Sequence, residues 1–216
     1  MDSTLQFIDL FAGAGGLSEG LSEAGFHSLF ANEIMPVYAR TYARNHVGTK
    51  VVTTDIRGLD ADKVREEIGI ERGCLDLLAG GPPCQGFSVA GKMDVDDKRS
   101  QLIWSYAKVI EFTRPRAFIM ENVKALGTLK KWEKIREALL EKLRSLGYSV
   151  NFMVLNATDY NVPQARERIF VVGIRGDEHK KPNWEKMILK YRHKAPTVRE
   201  TLSVLDKAGT GNNKGV

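Results

Sequence analysis

Short apolar runs alternate with amphipathic stretches along most of this chain. Residues 5–10, 27–32, 51–54, 75–79 and 117–120 are brief, mainly apolar or β-branched segments that end at Gly, Pro, Asp, Glu or Asn, the pattern of buried strands. Between them, helices are predicted from about Leu17 to Ala24 (closed by Gly25), from Pro36 to Asn45, over roughly 60–68 and from about Ser100 to Phe112. Trp132, Ile135, Leu139, Leu143 and Leu146 recur at helical spacing, and Gly147 ends that helix. Two late strands are predicted at 148–155 and 168–174. Residues 84–99 read as a long polar loop with Gly86, Gly91 and an acidic run, a length usually reserved for function.

Strands alternating with helices at short intervals predict an α/β fold: a doubly wound, mostly parallel seven-stranded sheet with helices on both faces. Ligands of such sheets bind beyond the carboxyl ends of the strands. Gly13–Gly16, Glu33, Asp55, Pro82–Cys84 and Glu121 all fall just past predicted strand ends, which makes them the candidate site.

Composition narrows the class without naming it. The 216 residues suffice for one domain with a tail, and 43% hydrophobic and 27% charged content is that of an ordinary globular chain. No run of about 18 apolar residues predicts a membrane span. The start of the chain lacks a secretory pattern. The two cysteines, Cys74 and Cys84, sit in unlike contexts, so no disulfide framework is expected and a reducing, cytoplasmic setting is. Cys74, before an apolar strand, reads as buried and inert. No metal site is predicted. Residues 175–199 carry eight Lys/Arg against three acids while the rest of the chain balances at 24 each, so the whole +5 excess lies in one late segment. That suits a polyanionic partner, or simply a solvated mixed-charge surface.

Phe7–Ser18 is a strand entering a glycine-rich turn, where the backbone can approach a ligand closely. Ser18 breaks the third position of a dinucleotide fingerprint. Glu33, twenty residues after Gly13, can accept both hydroxyls of a ribose, and Asp55 a hydrogen bond from an adenine amino group. These residues point to a nucleoside cofactor and leave a nicotinamide dinucleotide and S-adenosylmethionine both open. In Gly80-Gly81-Pro82-Pro83-Cys84-Gln85-Gly86-Phe87-Ser88, two prolines fix the backbone immediately before a thiol at a strand end, which makes Cys84 a candidate nucleophile. Arg166 and Arg168 alternate along a strand and so face one side; as a type of pair they are equally a surface feature.

Phe7–Ser18, Pro82-Pro83-Cys84-Gln85, Glu121-Asn122-Val123 and Gln164-x-Arg166-x-Arg168, in this order over about residues 5–175, resemble the DNA cytosine-5 methyltransferase family. The resemblance implies a Rossmann-like S-adenosylmethionine-dependent methyltransferase fold. It implies S-adenosylmethionine as cofactor, S-adenosylhomocysteine as product and duplex DNA as substrate, with the target cytosine flipped out of the stack. Cys84 would add to carbon 6 of the base and make carbon 5 nucleophilic. Glu121 would hold or protonate ring nitrogen 3, a role that favours a desolvated, neutral carboxyl, and Asn122 would orient it. Arg166 and Arg168 would grip the base carbonyl and phosphates. Phe11, Gly13, Gly15, Gly16, Leu17, Glu33, Ile34, Asp55, Ile56, Pro82 and Leu102 would bind the cofactor. Gly86–Arg99 resembles a loop that closes over the base, with Gln85 and Ser88 touching DNA.

The chain also departs from the family pattern. Complete members continue into a target-recognition domain and a closing Gly-Asn-Ser-Val block, which Gly211-Asn212-Asn213-Lys214 is not, while Ala195–Leu202 resembles the lead-in to that domain. The expected organisation is a catalytic domain over 1–178 and a basic connector over 179–216, with recognition supplied by a second polypeptide; a truncated fragment is the other reading. A restriction–modification role follows by analogy. Alternatives are a DNA-binding or scaffold subunit without activity, an RNA cytosine-5 methyltransferase and, from the cofactor half alone, an oxidoreductase.

Overall fold

The structure is a computed structural model and describes residues 4–83, 101–176, 183–203 and 205. In chain order its elements are β1 (Leu5–Leu10), α1 (Gly16–Glu23), β2 (Phe26–Asn32), α2 (Pro36–Asn45), β3 (Lys50–Val52), α3 (Ala61–Ile68), β4 (Leu77–Gly80), α4 (Gln101–Thr113), β5 (Ala117–Val123), α5 (Lys124–Thr128), α6 (Glu133–Ser145), β6 (Tyr148–Asn156), β7 (Glu167–Arg175), α7 (Trp184–Leu189) and α8 (Val198–Leu202). The seven strands form one sheet in the order β3-β2-β1-β4-β5-β7-β6. The first five run parallel, and β7 lies antiparallel between β5 and β6. This is the doubly wound, mostly parallel fold. Its strand order reverses between β1 and β4, the position at which such sheets open a crevice for ligands.

Alternation along β1 explains the layers. Ile8 and Leu10 point to the face carrying α3, α4 and α6, where they join Phe30, Leu78, Ile110, Phe118, Leu139 and Leu143 in the main core. Phe7 points the other way and packs with Leu77, Ala79, Leu17 and Leu21 beneath α1. Each large apolar side chain buried in this way contributes roughly 1.5–3 kcal/mol relative to exposure. Gly173 of β7 stands opposite Phe118 of β5, and a Cβ at that glycine would lie 2.2 Å from the Phe118 ring. The glycine is therefore the space in which that ring sits.

Two local expectations change, and one short helix is added. β5 continues through Val123, because β7 pairs along its whole length. Glu121 and Asn122 are thus strand residues opposite Phe170 and Ile169, not the start of a loop. The helix α5 follows β5 directly. Glycine is unfavourable inside a helix, but a Cβ at Gly127 would meet Ile169 at 2.8 Å, so close packing demands it. Cys74 is exposed rather than buried, since the core-directed strand begins beyond it at Leu77.

The basic late segment, expected to be a connector, docks onto the sheet domain where it is described. His193 bridges Tyr160, its N–H donates to the Asp159 carbonyl at 2.8 Å, and Arg192 pairs with Asp159 at 2.8 Å. No helix among the described residues is long and apolar enough to cross a membrane.

Candidate active site

The chain leaves β1 through Phe11, Gly13 and Gly15, all with positive φ (58°, 57° and 101°), and turns into α1 at Gly16. The three turn glycines have different reasons to be glycine. Gly13 faces open space, free for a ligand to approach, whereas a Cβ on Gly15 would lie 2.3 Å from His46 Nε2. Gly15 is thus required by α2, and Leu17 packs into the core beneath α1. Glu33, at the end of β2, accepts the Gly13 N–H on Oε2 and the Met35 N–H on Oε1, both at 2.8 Å, so one carboxylate fastens the glycine turn to the β2 exit.

Asp55, past β3, accepts from the backbone N–H of Arg57 at 2.9 Å and pairs with the Arg57 guanidinium. The Arg57 hydrogen bonds and charge hold its carboxyl down at about 2. Asn32 is buried and donates to the Thr54 carbonyl at 2.7 Å, which ties β2 to the segment before Asp55.

These strand exits enclose a cavity of about 610 Å³, within the range of small-molecule sites. Its walls include the expected residues Phe11, Gly13, Glu33, Ile34, Asp55, Ile56 and Leu102. Gly15, Gly16, Leu17 and Pro82 do not line it, whereas Asn32, Met35, Tyr38, Arg57, Gly81 and Pro83 do. Tyr38 was legible only as part of the first turn of the helix beginning at Pro36, and Met35 carried no signal of its own. Their half-exposed side chains reach the cavity because α2 starts immediately beside the β2 exit.

The cavity wall at Gly81–Pro83 backs onto the second group of candidates. A Cβ on Gly81 would lie 3.5 Å from Glu121 Oε2. Arg168 Nε sits 2.9 Å from Glu121 Oε1, and an Arg166 amino group 3.8 Å from the same oxygen, so both arginines converge on one carboxylate. The Glu121 side chain is 27% exposed and lies beside both guanidinium groups. Asn122 is buried. Its Nδ2 donates to the Pro82 carbonyl at 2.9 Å and its Oδ1 accepts the Val123 N–H, so it holds the chain before Cys84 rather than orienting Glu121. Cys84, Gln85, Gly86, Ser88 and the loop to Arg99 lie outside the described residues.

A buried polar cluster beneath the turn escaped the sequence reading. Ser18 Oγ donates to Asp9 Oδ2 at 2.6 Å and lies 2.7 Å from the Tyr42 hydroxyl, which is 2.9 Å from Ser28 Oγ. The signal in the sequence was Asp9 in an otherwise apolar strand together with Ser18 at the broken fingerprint position. Nothing in their spacing announced Tyr42, 24 residues beyond Ser18.

The family model for C-5 cytosine-specific DNA methylase matches residues 5–214. The chain belongs to the C-5 cytosine-specific DNA methylase family. It is 43% identical over 173 residues to the type II methyltransferase M1.HphI of Haemophilus parahaemolyticus, covering 79% of this chain and 46% of that one. It is 37% identical over 178 residues to M.AquIA of Picosynechococcus sp., covering 79% of this chain and 72% of the relative. A solved structure described as a DNA modification methyltransferase encoded within an E. coli prophage superimposes with a TM-score of 0.81 at 30% identity, over 94% of this chain and 56% of that one. The chain thus spans less than half the length of M1.HphI and about three quarters of M.AquIA. As a cytosine-5 methylase fold it carries the Rossmann-like sheet of methyltransferases, and the cavity at its strand exits fits the family's cofactor: a carboxylate, a second carboxylate and apolar walls around a glycine turn.

Proposed function

We propose that this chain is the catalytic part of a DNA cytosine-5 methyltransferase. It would transfer a methyl group from S-adenosylmethionine to carbon 5 of a flipped-out cytosine through a covalent adduct at Cys84. The observation that carries this reading is the shared wall at Gly81–Pro83: a nucleoside-sized cavity lies on one side, and Glu121 with its two arginines on the other.

When bound, S-adenosylmethionine supplies an electrophilic methyl group. Each Glu33 oxygen accepts one backbone N–H and keeps a lone pair for a ribose hydroxyl. Asp55 remains an acceptor for an amino group, and Ile34, Ile56 and Leu102 offer apolar walls to a purine. On the DNA side, the target atom is unreachable inside the stack, so the base must leave it. The Cys84 thiolate adds to carbon 6 and carbon 5 becomes electron-rich. After methylation the carbon-5 proton is lost to a base and the thiolate is expelled. Glu121 passes a proton to ring nitrogen 3 as the thiolate adds and takes it back as the thiolate leaves, while Arg168 and Arg166 hold the carboxyl and the base carbonyl. Asn122 fixes the Pro82–Pro83 segment that presents the thiol. A second polypeptide supplying target recognition is part of this proposal; the matched stretch takes up 72% of M.AquIA, which leaves little of that relative for a recognition part of its own.

Duplex DNA carrying 5-fluorocytosine tests the reading, because fluorine blocks proton loss and should trap a protein–DNA adduct in the presence of S-adenosylmethionine. Wild type should give the adduct and Cys84→Ser none, with S-adenosylmethionine still bound. Equal labelling of DNA by Cys84→Ser and wild type from methyl-labelled cofactor would remove Cys84 from the mechanism. Co-purification of a second chain that confers site-specific methylation tests the partner.

A further inference from the structure

We propose that Asp9 is a positioning residue for the cofactor turn, its protonation setting the direction of a buried hydroxyl chain so that cofactor binding is linked to release of a proton. This rests on reading the 610 Å³ cavity as the cofactor pocket. Asp9 is 1% exposed, and its register neighbours on β2 and β4 are Ala31 and Ala79. Its Oδ2 meets Ser18, and its Oδ1 is buried without a hydrogen-bond partner. From Ser18 the chain runs through Tyr42 to Ser28, so four elements (β1, α1, α2 and β2) meet in three bonds.

Each hydroxyl has one proton to give. When Asp9 is ionised, Ser18 donates to it, Tyr42 donates to Ser18 and Ser28 donates to Tyr42. When Asp9 carries the proton on Oδ2, it can donate to Ser18 and the sequence can reverse. The two inner members of this chain, Ser18 and Tyr42, connect it to the cofactor turn. Ser18 lies in the first turn of α1, directly after Gly13–Gly16. One helical turn past Tyr42, the His46 ring lies 4.4 Å from the Tyr42 ring, tilted by 41°, and places Nε2 3.2 Å from the Gly15 carbonyl.

The titratable groups facing Asp9 are Glu33 at the β2 exit, Tyr42 from α2 and Tyr106 from α4; α1 presents Ser18 and the facing part of β4 presents Ala79. Burial, and to a lesser degree the Glu33 charge, push the Asp9 carboxyl up to about 7 in spite of the Ser18 bond. A cationic ligand entering the cavity favours the ionised form of Asp9 and drives the proton to the buffer. S-adenosylmethionine carries a sulfonium charge that S-adenosylhomocysteine lacks, so the methylated form should release more.

Titration calorimetry at pH 7 in buffers of different ionisation enthalpy counts that proton. Wild type should release a fraction of a proton on binding S-adenosylmethionine and less on binding S-adenosylhomocysteine, with affinity for the former rising as pH passes through about 7. Asp9→Asn should bind with no such release. Ser18→Ala, which removes the bond that lowers the carboxyl, should move the midpoint upward, and it carries the test if Asp9→Asn does not fold; an unmoved midpoint would overturn the proposal. Without any ligand, the amide resonances of Gly13 and Gly16 should titrate in wild type and in His46→Gln, and not in Asp9→Asn. Binding with equal proton counts in wild type and Asp9→Asn would overturn the linkage and leave the cofactor reading standing. Failure of S-adenosylmethionine to bind at all would overturn both.

Discussion

Asn122 is the place where a single side-chain amide joins the two halves of the site, and removing it has a calculable cost. Asn122→Ala deletes the 2.9 Å bond to the Pro82 carbonyl and the bond to the Val123 N–H. A buried acceptor left unpaired costs about 1–3 kcal/mol. At about 2 kcal/mol, a chain of this size should lose roughly 4–8 °C in Tm. Asn122→Asp makes the reasoning sharper. One oxygen of the new carboxyl can still accept from Val123, but the other faces the Pro82 carbonyl, acceptor against acceptor. A proton on that oxygen turns it into a donor to Pro82, so the native state holds the proton more tightly than the unfolded chain, whose Asp titrates near about 3.9. A folded-state pKa raised in this way makes the variant most stable at or below about pH 4, with stability lost as pH rises toward the native value. Thermal unfolding followed by circular dichroism from pH 4 to 8 should show this extra slope in Asn122→Asp and not in Asn122→Ala. The rate of adduct formation with 5-fluorocytosine DNA should fall in both, while S-adenosylmethionine binding changes little, because the Glu33 end of the cavity is untouched. An Asn122→Asp curve parallel to that of Asn122→Ala, or an unshifted Tm in Asn122→Ala, would refute the assigned bond.

Glu33→Gln cannot accept from both Gly13 and Met35, because one side-chain atom becomes a donor facing an N–H; S-adenosylmethionine affinity should fall about 10–100-fold by calorimetry, the equivalent of losing one charge-assisted bond. Arg168→Ala should lower turnover on DNA by at least about tenfold while changing stability by less than about 1 kcal/mol, since the pair with Glu121 is a quarter exposed; unchanged turnover would detach the arginine from the site. Gly173→Ala drives a methyl into the Phe118 ring and should cost about 1–3 kcal/mol, with partial recovery in the double variant Gly173→Ala/Phe118→Leu measured by chemical denaturation. Because the native state holds the Asp9 proton up to about 7 while the unfolded chain releases it near 3.8, stability should decline as pH rises across that window, and Asp9→Asn should flatten the profile.

The succession of elements was legible in the sequence because a buried strand and a one-faced helix leave periodic traces in the residues themselves. Phe7–Leu10, Leu77–Ala79 and the Ile135–Leu143 stripe announce their own burial, and Gly25 and Gly147 mark the ends of their helices through positive φ. The motifs around Gly13, Pro82 and Glu121 named the chemistry for the same reason, since reactivity and backbone freedom are local properties. Periodicity, however, reports only that a face is covered and not by what. The antiparallel insertion of β7 beside β5 was decided by tertiary pairing, and that pairing brings Arg168 onto Glu121 and places Phe118 over Gly173. The same holds for Asn122 on Pro82, 40 residues apart, and for the Asp9–Ser18–Tyr42–Ser28 chain. A hydrogen bond depends on position to within a few tenths of an ångström, and positions of that kind exist only once the sheet has its register.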